Sequence, residues 1–94
     1  MGITIHFHPA SQHSRRVRMA VIELGIEANM QQVPLPATDE YKGLNPMGKV
    51  PTLVDGSFVL WESNAIMAYL AEQKGGQLYG TDAKSRAEVN RWMF

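Results

Sequence analysis

The chain contains no cysteine among its 94 residues. It therefore has no disulfide to stabilise a small fold, and no protein thiol that could act as a nucleophile or exchange disulfides. An excess of charge of one sign is also missing, because nine basic and nine acidic residues cancel and the pI lies near 6.8. This balance argues against nucleic acid or an anionic membrane as the main partner.

Long hydrophobic runs are absent as well. Residues 1–6 do not contain a basic region followed by an apolar stretch, and no segment reaches the roughly 20 apolar residues that a membrane helix needs. We therefore expect no secretory signal, no membrane association and a cytoplasmic location. A chain of 94 residues is expected to form one small domain with a modest core.

Hydrophobic periodicity divides the first half of the chain into a βαβ unit. Alternating apolar and polar residues predict a strand over residues 3–7 and a weaker one over 28–35. Between them, apolar residues at helical spacing predict a helix over 15–24 that ends at Gly25. We expect residues 37–47 to form a loop with one irregular helical turn.

The second half of the chain has a ββα pattern. Strands are predicted over 50–54 and 58–61, joined by a turn around Asp55-Gly56. Ser63 is expected to cap a helix that extends to residue 74. A parallel pair joined by a helix, together with an antiparallel hairpin, predicts an α/β fold with a four-stranded mixed sheet flanked by helices.

Ser11 is the first candidate for chemistry, because α/β folds place ligands in the loop between a strand and the helix that follows it. The other interpretation is that Ser11 or Ser14 only caps the helix, which is the commoner role of a serine at this position. The spacing alone does not decide between them.

Val50-Pro51 and Glu62-Ser63 are the next candidates. The proline is either one tolerated at a sheet edge or part of a cis bond that exposes the N–H and C=O of Val50 to a ligand backbone. Ser63 and Glu62 are either a cap and its neighbour, or a pair that binds the carboxylate and the ammonium of an α-amino acid.

Basic residues near these positions are weaker candidates. Lys49 and Lys42 could bind a carboxylate, although solvated surface lysines are commoner. Arg15 could add positive potential, although such basic runs usually form an exposed helix face. The histidines have no cysteine or well-spaced acidic residue to complete a ligand set, so we expect no metal site.

Two segments resemble the glutathione S-transferase family. Residues 8–17 resemble the segment that carries the catalytic serine in the serine-type classes, such as phi and theta. Residues 48–54 with 58–66 resemble the glutathione site. The resemblance covers nearly the whole chain, as the thioredoxin-like N-terminal domain, and implies that Ser11 is the catalytic serine and Ser14 the cap. The implied glutathione contacts are the cysteinyl backbone on Val50 and Pro51, the γ-glutamyl carboxylate on Ser63, its ammonium on Glu62, and the glycyl carboxylate on Lys49 or Lys42.

The resemblance also implies an activity and a domain organisation. Residues 1–80 would bind glutathione as a co-substrate, without a cofactor, and activate its thiol for attack on an electrophilic small molecule. Residues 81–94 would be a connector and the start of a truncated helical second domain, in a protein that forms a homodimer at full length. The alternative is a non-catalytic binding or assembly module with the same fold. A glutaredoxin-like oxidoreductase is excluded, because it needs a cysteine.

Overall fold

The computed structural model describes residues 2–74, 80 and 82–93. The order of elements agrees with the predicted βαβ and ββα units. In chain order the elements are β1 (Ile3–Phe7), α1 (Gln12–Leu24), β2 (Ala28–Gln32), α2 (Asp39–Lys42), β3 (Thr52–Asp55), β4 (Phe58–Trp61), α3 (Ser63–Gln73) and α4 (Ala83–Met93).

The four strands form one mixed sheet in the order β2-β1-β3-β4, as predicted. β1 pairs with β2 in parallel and with β3 antiparallel, and β3 pairs with β4 antiparallel. In this register Thr52 lies between His6 and Trp61. The end of β1, the start of β3 and the end of β4 therefore lie side by side at one end of the strands. The predicted site segments adjoin the strands there.

The main core lies between the sheet and the helices α1 and α3. α1 contributes apolar residues at helical spacing, and α3 packs beside it on the same face of the sheet. The buried members of this core are Ile5, Val17, Val21, Leu24, Leu53, Ile66, Leu70 and Ala71.

A smaller cluster covers the opposite face of the sheet. It consists of Val33, Tyr41 and Val50, with Tyr41 supplied by the single turn of α2. Side chains alternate between the faces of a strand, so β1 directs Ile5 to the main core and His6 to this second face. The His6 ring centroid lies 5.9 Å from that of Tyr41. The predicted helical turn within residues 37–47 is thus confirmed, and it covers the sheet.

α1 begins at Gln12 rather than at the predicted residue 15. Ser11 has extended backbone angles and its side chain accepts from the N–H of Ser14, so Ser11 is the N-cap. The prediction that Ser14 caps this helix is wrong, because Ser14 already lies inside the first turn. The predicted stop at Gly25 is confirmed, with φ of 65° and its N–H bonded to the carbonyls of the last turn.

α3 also begins differently from the prediction. Glu62 is its N-cap and makes no side-chain capping bond, whereas Ser63, the predicted cap, is the first helical residue. In the hairpin before it, Asp55 pairs with Phe58, so the turn residues are Gly56 and Ser57 rather than Asp55 and Gly56. Gly56 has φ of 63°, a value that favours glycine at this turn position.

Two strands, β2 and β3, are shorter than predicted. β2 ends at Gln32, although the N–H of Val33 still donates to Phe7 O. β3 begins at Thr52, since Pro51 has no N–H to extend the ladder. The division of the chain at residue 80 stays a prediction. Within the described ranges, no helix is long and apolar enough to cross a membrane.

Candidate functional site

A cavity of about 770 Å³ lies at the sheet edge where β1 ends, β3 begins and β4 ends. It brings together residues from four separate segments of the chain, three of which the register of the sheet aligns. Six of the predicted site residues line it: Ser11, Lys49, Val50, Pro51, Glu62 and Ser63.

Ser11 is held at the cavity by both its backbone and its side chain. Its N–H donates to His8 O at 3.0 Å, and its Oγ accepts from the N–H of Ser14 at 3.1 Å. A hydroxyl that accepts in this way still has its own hydrogen to donate. Capping and ligand binding are therefore compatible roles, and the hydrogen of Ser11 can serve an anion in the cavity beside the N-terminus of α1.

Ser14 is fully buried and does not line the cavity. Its Oγ accepts from the N–H of His8 at 3.2 Å, across the loop that carries Ser11. Ser14 therefore ties this loop to the first turn of α1. The structure separates the two serines into one that faces the cavity and one that supports the loop from behind.

Val50 and Pro51 form a buried wall of the cavity. The bond between them is cis, the second of the two alternatives considered for this proline. In the part of the chain that the structure describes, neither the N–H nor the C=O of Val50 has a hydrogen-bond partner. An extended ligand backbone could therefore bind here as an added strand does.

The N-terminus of α3 combines groups suited to both the carboxylate and the ammonium of an α-amino acid. The first bond of this helix runs from Ile66 N–H to Glu62 O, so the N–H groups of Ser63 and Ala65 have no partner within the helix and can bind an anion. Ser63 is only 7% exposed, and its hydroxyl has no partner among the described residues. Glu62 is exposed and has φ of 79°, a strained value for a non-glycine residue of the kind found at ligand sites.

The basic candidates divide into two groups. Lys49 lines the cavity and its side chain is exposed. Arg15, on the first turn of α1, and Lys42, at the end of α2, are exposed but lie outside the lining. Contacts from these two residues to a ligand stay predictions. Within the described ranges, no group of three or more histidine or acidic side chains could hold a metal ion.

Several lining residues were not among the predicted ones. His13 lies near Ser11, and three large apolar side chains with high exposure form a rim: Leu35 at 45%, Met47 at 65% and Trp61 at 39%. Trp61 could have been predicted to line the cavity, because it lies directly before Glu62. No local pattern pointed to Leu35, which lies in the loop between β2 and α2 beside a second cis bond, Leu35–Pro36.

A family model described as "Glutathione S-transferase, N-terminal domain" matches residues 10–73. The chain belongs to the glutathione S-transferase family. The match contains the N-cap of α1, the Val50-Pro51 wall and the mouth of α3, so the family's N-terminal domain and this cavity coincide. The predicted thioredoxin-like fold is confirmed by the solved glutathione S-transferase structures that share it.

Known glutathione S-transferases are similar over nearly all of this chain. Glutathione S-transferase D7 of Drosophila melanogaster is 34% identical over 100 aligned residues, which cover 99% of this chain and 45% of the relative. The theta class enzyme of Xanthomonas axonopodis pv. citri, solved with glutathione bound, is 41% identical with a TM-score of 0.88, over 99% of this chain and 47% of that one.

A human theta class enzyme, solved with the glutathione conjugate of 1-menaphthyl sulfate, is 34% identical with a TM-score of 0.87. This match covers 99% of the present chain and 41% of the human one. The chain thus spans about half the length of the relatives that it matches.

Proposed function

We propose that this domain binds glutathione and ionises its thiol, within a glutathione transferase that joins the thiol to electrophilic small molecules. The observation that carries the proposal is the single cavity shared by Ser11, the free backbone groups of Val50, and the mouth of α3 at Ser63. Membership of the family supports it, as does the glutathione bound in the similar theta class structure.

Each part of glutathione has a complementary group in this proposal. The γ-glutamyl carboxylate binds the hydroxyl and the N–H of Ser63 at the N-terminus of α3, and the ammonium of the same γ-glutamyl residue binds Glu62. The cysteinyl backbone pairs with Val50 beside Pro51, and the glycyl carboxylate binds Lys49. These contacts orient the cysteinyl sulfur toward Ser11 at the N-terminus of α1.

Ser11 would then stabilise the thiolate without a protein base. A free thiol has a pKa of about 8.5, so only a few per cent is ionised at neutral pH. One hydrogen bond to a charged sulfur is worth about 1.5–3 kcal/mol, which corresponds to a decrease of about one to two units in the pKa. A single hydroxyl, assisted by the helix N-terminus, is therefore sufficient.

The test is the ultraviolet absorbance of the thiolate of bound glutathione, measured against pH for the wild type, Ser11→Ala and Ser14→Ala. We expect Ser11→Ala to return the thiol pKa toward its free value and to lower the turnover. Ser14→Ala is the matched control, because it removes a buried hydroxyl from the first turn of α1 that supports the same loop but does not line the cavity.

A shifted thiol pKa in Ser14→Ala but not in Ser11→Ala would reverse the two assignments. An ordinary thiol pKa in all three proteins, with glutathione still bound, would favour the non-catalytic binding or assembly module. Circular dichroism shows whether each variant is folded.

We extend the proposal to the setting of the reaction. The acceptor is an electrophilic small molecule, so the role is detoxification, and the full-length protein works as a homodimer in the cytoplasm. Size-exclusion chromatography with light scattering tests the dimer, and turnover of a panel of electrophiles tests the acceptor class.

A further inference from the structure

Four hydrogen bonds form a closed ring directly behind the Val50-Pro51 wall. Tyr41 Oη lies 2.6 Å from Lys49 O and 2.6 Å from Thr52 Oγ1. Asn45 Nδ2 lies 3.0 Å from the same carbonyl and 3.2 Å from the same Thr52 oxygen. The three side chains are at most 5% exposed, so water does not compete for these bonds.

Counting hydrogens fixes the direction of each bond in the ring. A carbonyl only accepts, so the single hydroxyl hydrogen of Tyr41 is donated to Lys49 O, and the hydroxyl of Thr52 donates to Tyr41. The two amide hydrogens of Asn45 are donated to Lys49 O and to Thr52 Oγ1. The orientation of this amide is fixed independently, because its Oδ1 accepts from the N–H of Met47 at 3.0 Å.

The chemical state of Tyr41 agrees with this assignment. Burial raises the pKa of its phenol above the ordinary value of 10.0, although the hydrogen bond from Thr52 and the nearby amide of Asn45 act in the opposite direction. The phenol therefore stays protonated over the physiological range and keeps its hydrogen for Lys49 O.

The ring fixes the peptide group that joins Lys49 to Val50. The carbonyl of Lys49 accepts two bonds from inside the protein, and this peptide bond is trans. In a trans peptide group the N–H points away from the C=O, so anchoring this carbonyl behind the wall turns the N–H of Val50 away from the ring. Val50 lines the cavity, and among the described residues its N–H has no partner.

We propose that Tyr41, Asn45 and Thr52 are positioning residues that hold the N–H of Val50 toward a carbonyl of the bound ligand. The inference rests on the proposed function, in which that carbonyl belongs to the cysteinyl residue of glutathione. Asn45 also lines the cavity, but the hydroxyl and amide hydrogens of all three side chains are used within the ring, so none of them is left to donate to the ligand.

The main test compares two hydroxyl deletions, Tyr41→Phe and Tyr69→Phe. Tyr69 is the matched control, because its hydroxyl also donates at 2.6 Å, to Asp55 Oδ2, but lies outside the cavity lining. We expect Tyr41→Phe to weaken glutathione binding by about three- to tenfold in isothermal titration calorimetry, the range expected for one hydrogen bond. Tyr69→Phe should bind like the wild type, even where both variants unfold more easily.

The backbone itself gives a second measurement. In ¹H–¹⁵N spectra of the wild type, the Val50 amide proton should move downfield when glutathione is added, because it gains a hydrogen bond. We expect a smaller movement in Tyr41→Phe and an unchanged one in Tyr69→Phe. A loss of stability alone would not change the Val50 amide selectively.

A conservative pair covers the case in which Tyr41→Phe does not fold. Thr52→Ser keeps the hydroxyl and should retain wild-type affinity, whereas Thr52→Val, of similar shape, should lose affinity in the same direction as Tyr41→Phe.

Wild-type affinity and an unchanged Val50 shift in both Tyr41→Phe and Thr52→Val would overturn the inference and leave the proposed function intact. No binding of glutathione by the wild type would overturn both.

Discussion

Arg16 of α1 donates a hydrogen bond to Asn64 of α3, with 2.7 Å between Nη2 and Oδ1. Arg16 lies at the start of the second turn of α1 and Asn64 in the first turn of α3, the two helices whose N-termini open onto the cavity at Ser11 and Ser63. The bond therefore links the two helix ends that carry the proposed thiolate donor and the proposed carboxylate site. It joins positions 48 residues apart, so it exists only in the folded chain.

A double-mutant cycle with Arg16→Met and Asn64→Ala should give a coupling of about 1–2 kcal/mol in the free energy of unfolding, because one partner is charged and the bond is partly buried. The control cycle uses Arg91 and Glu88, an exposed pair three residues apart on α4. That cycle should give a much smaller coupling. Equal couplings in the two cycles, measured by urea denaturation, would show that the bond between the helices adds nothing beyond a surface contact.

Ser63→Ala should weaken glutathione binding about tenfold or more, since the hydroxyl is proposed to bind a charged carboxylate. The contact is remote from the sulfur and nearly equal in the ground and transition states, so KM should rise while kcat changes little. Ser57→Ala, in the exposed β3–β4 turn, is the control. A fall in kcat with unchanged affinity would place Ser63 close to the reacting sulfur instead.

His6 should make the fold less stable as the pH falls below its ordinary pKa of 6.5. Burial lowers the pKa of its ring in the folded state, and its Nδ1 is buried with no partner among the described residues. The unfolded chain then binds a proton more readily, so the stability from neutral His6 is present above 6.5 and is lost as the pH falls toward the lower folded pKa. His6→Gln should reduce this slope in urea denaturation followed across that range. An unchanged slope would mean that protonation of the ring costs the folded state nothing.

Gly25→Ala should cost about 1–2 kcal/mol of stability, the usual penalty for a left-handed conformation in a residue with a Cβ. The position is suited to this measurement, because φ is 65° and an added Cβ would meet nothing within 4 Å, so no clash contributes. Gly2→Ala, where the space is equally open and φ is not positive, is the control. If thermal denaturation gives the same loss for both, then the helix stop at Gly25 does not depend on its conformation.

The elements of the fold were predictable where local signals agree with each other. The strand Ile3–Phe7 and the strand Phe58–Trp61 have the bounds that their apolar patterns predicted. The end of α1 at Gly25 was predictable because a left-handed residue after a helical stripe has few alternatives to glycine. Predictions failed at the helix starts, since Ser11 and Ser14 both suit a cap, and so do Ser63 and the residues beside it.

The sequence by itself determined the βαβ and ββα order, the absence of a protein thiol, and the local motifs around Ser11, Val50-Pro51 and Glu62-Ser63. Those are properties of side-chain type and short-range spacing, which act within a few residues. The tertiary structure decided which serine faces the cavity, and it placed Trp61 and Leu35 on the rim. It also closed the ring of Tyr41, Asn45 and Thr52 on the carbonyl of Lys49. These features depend on the pairing of β1, β3 and β4, which brings distant segments to one edge of the sheet, and no local spacing encodes where such segments meet.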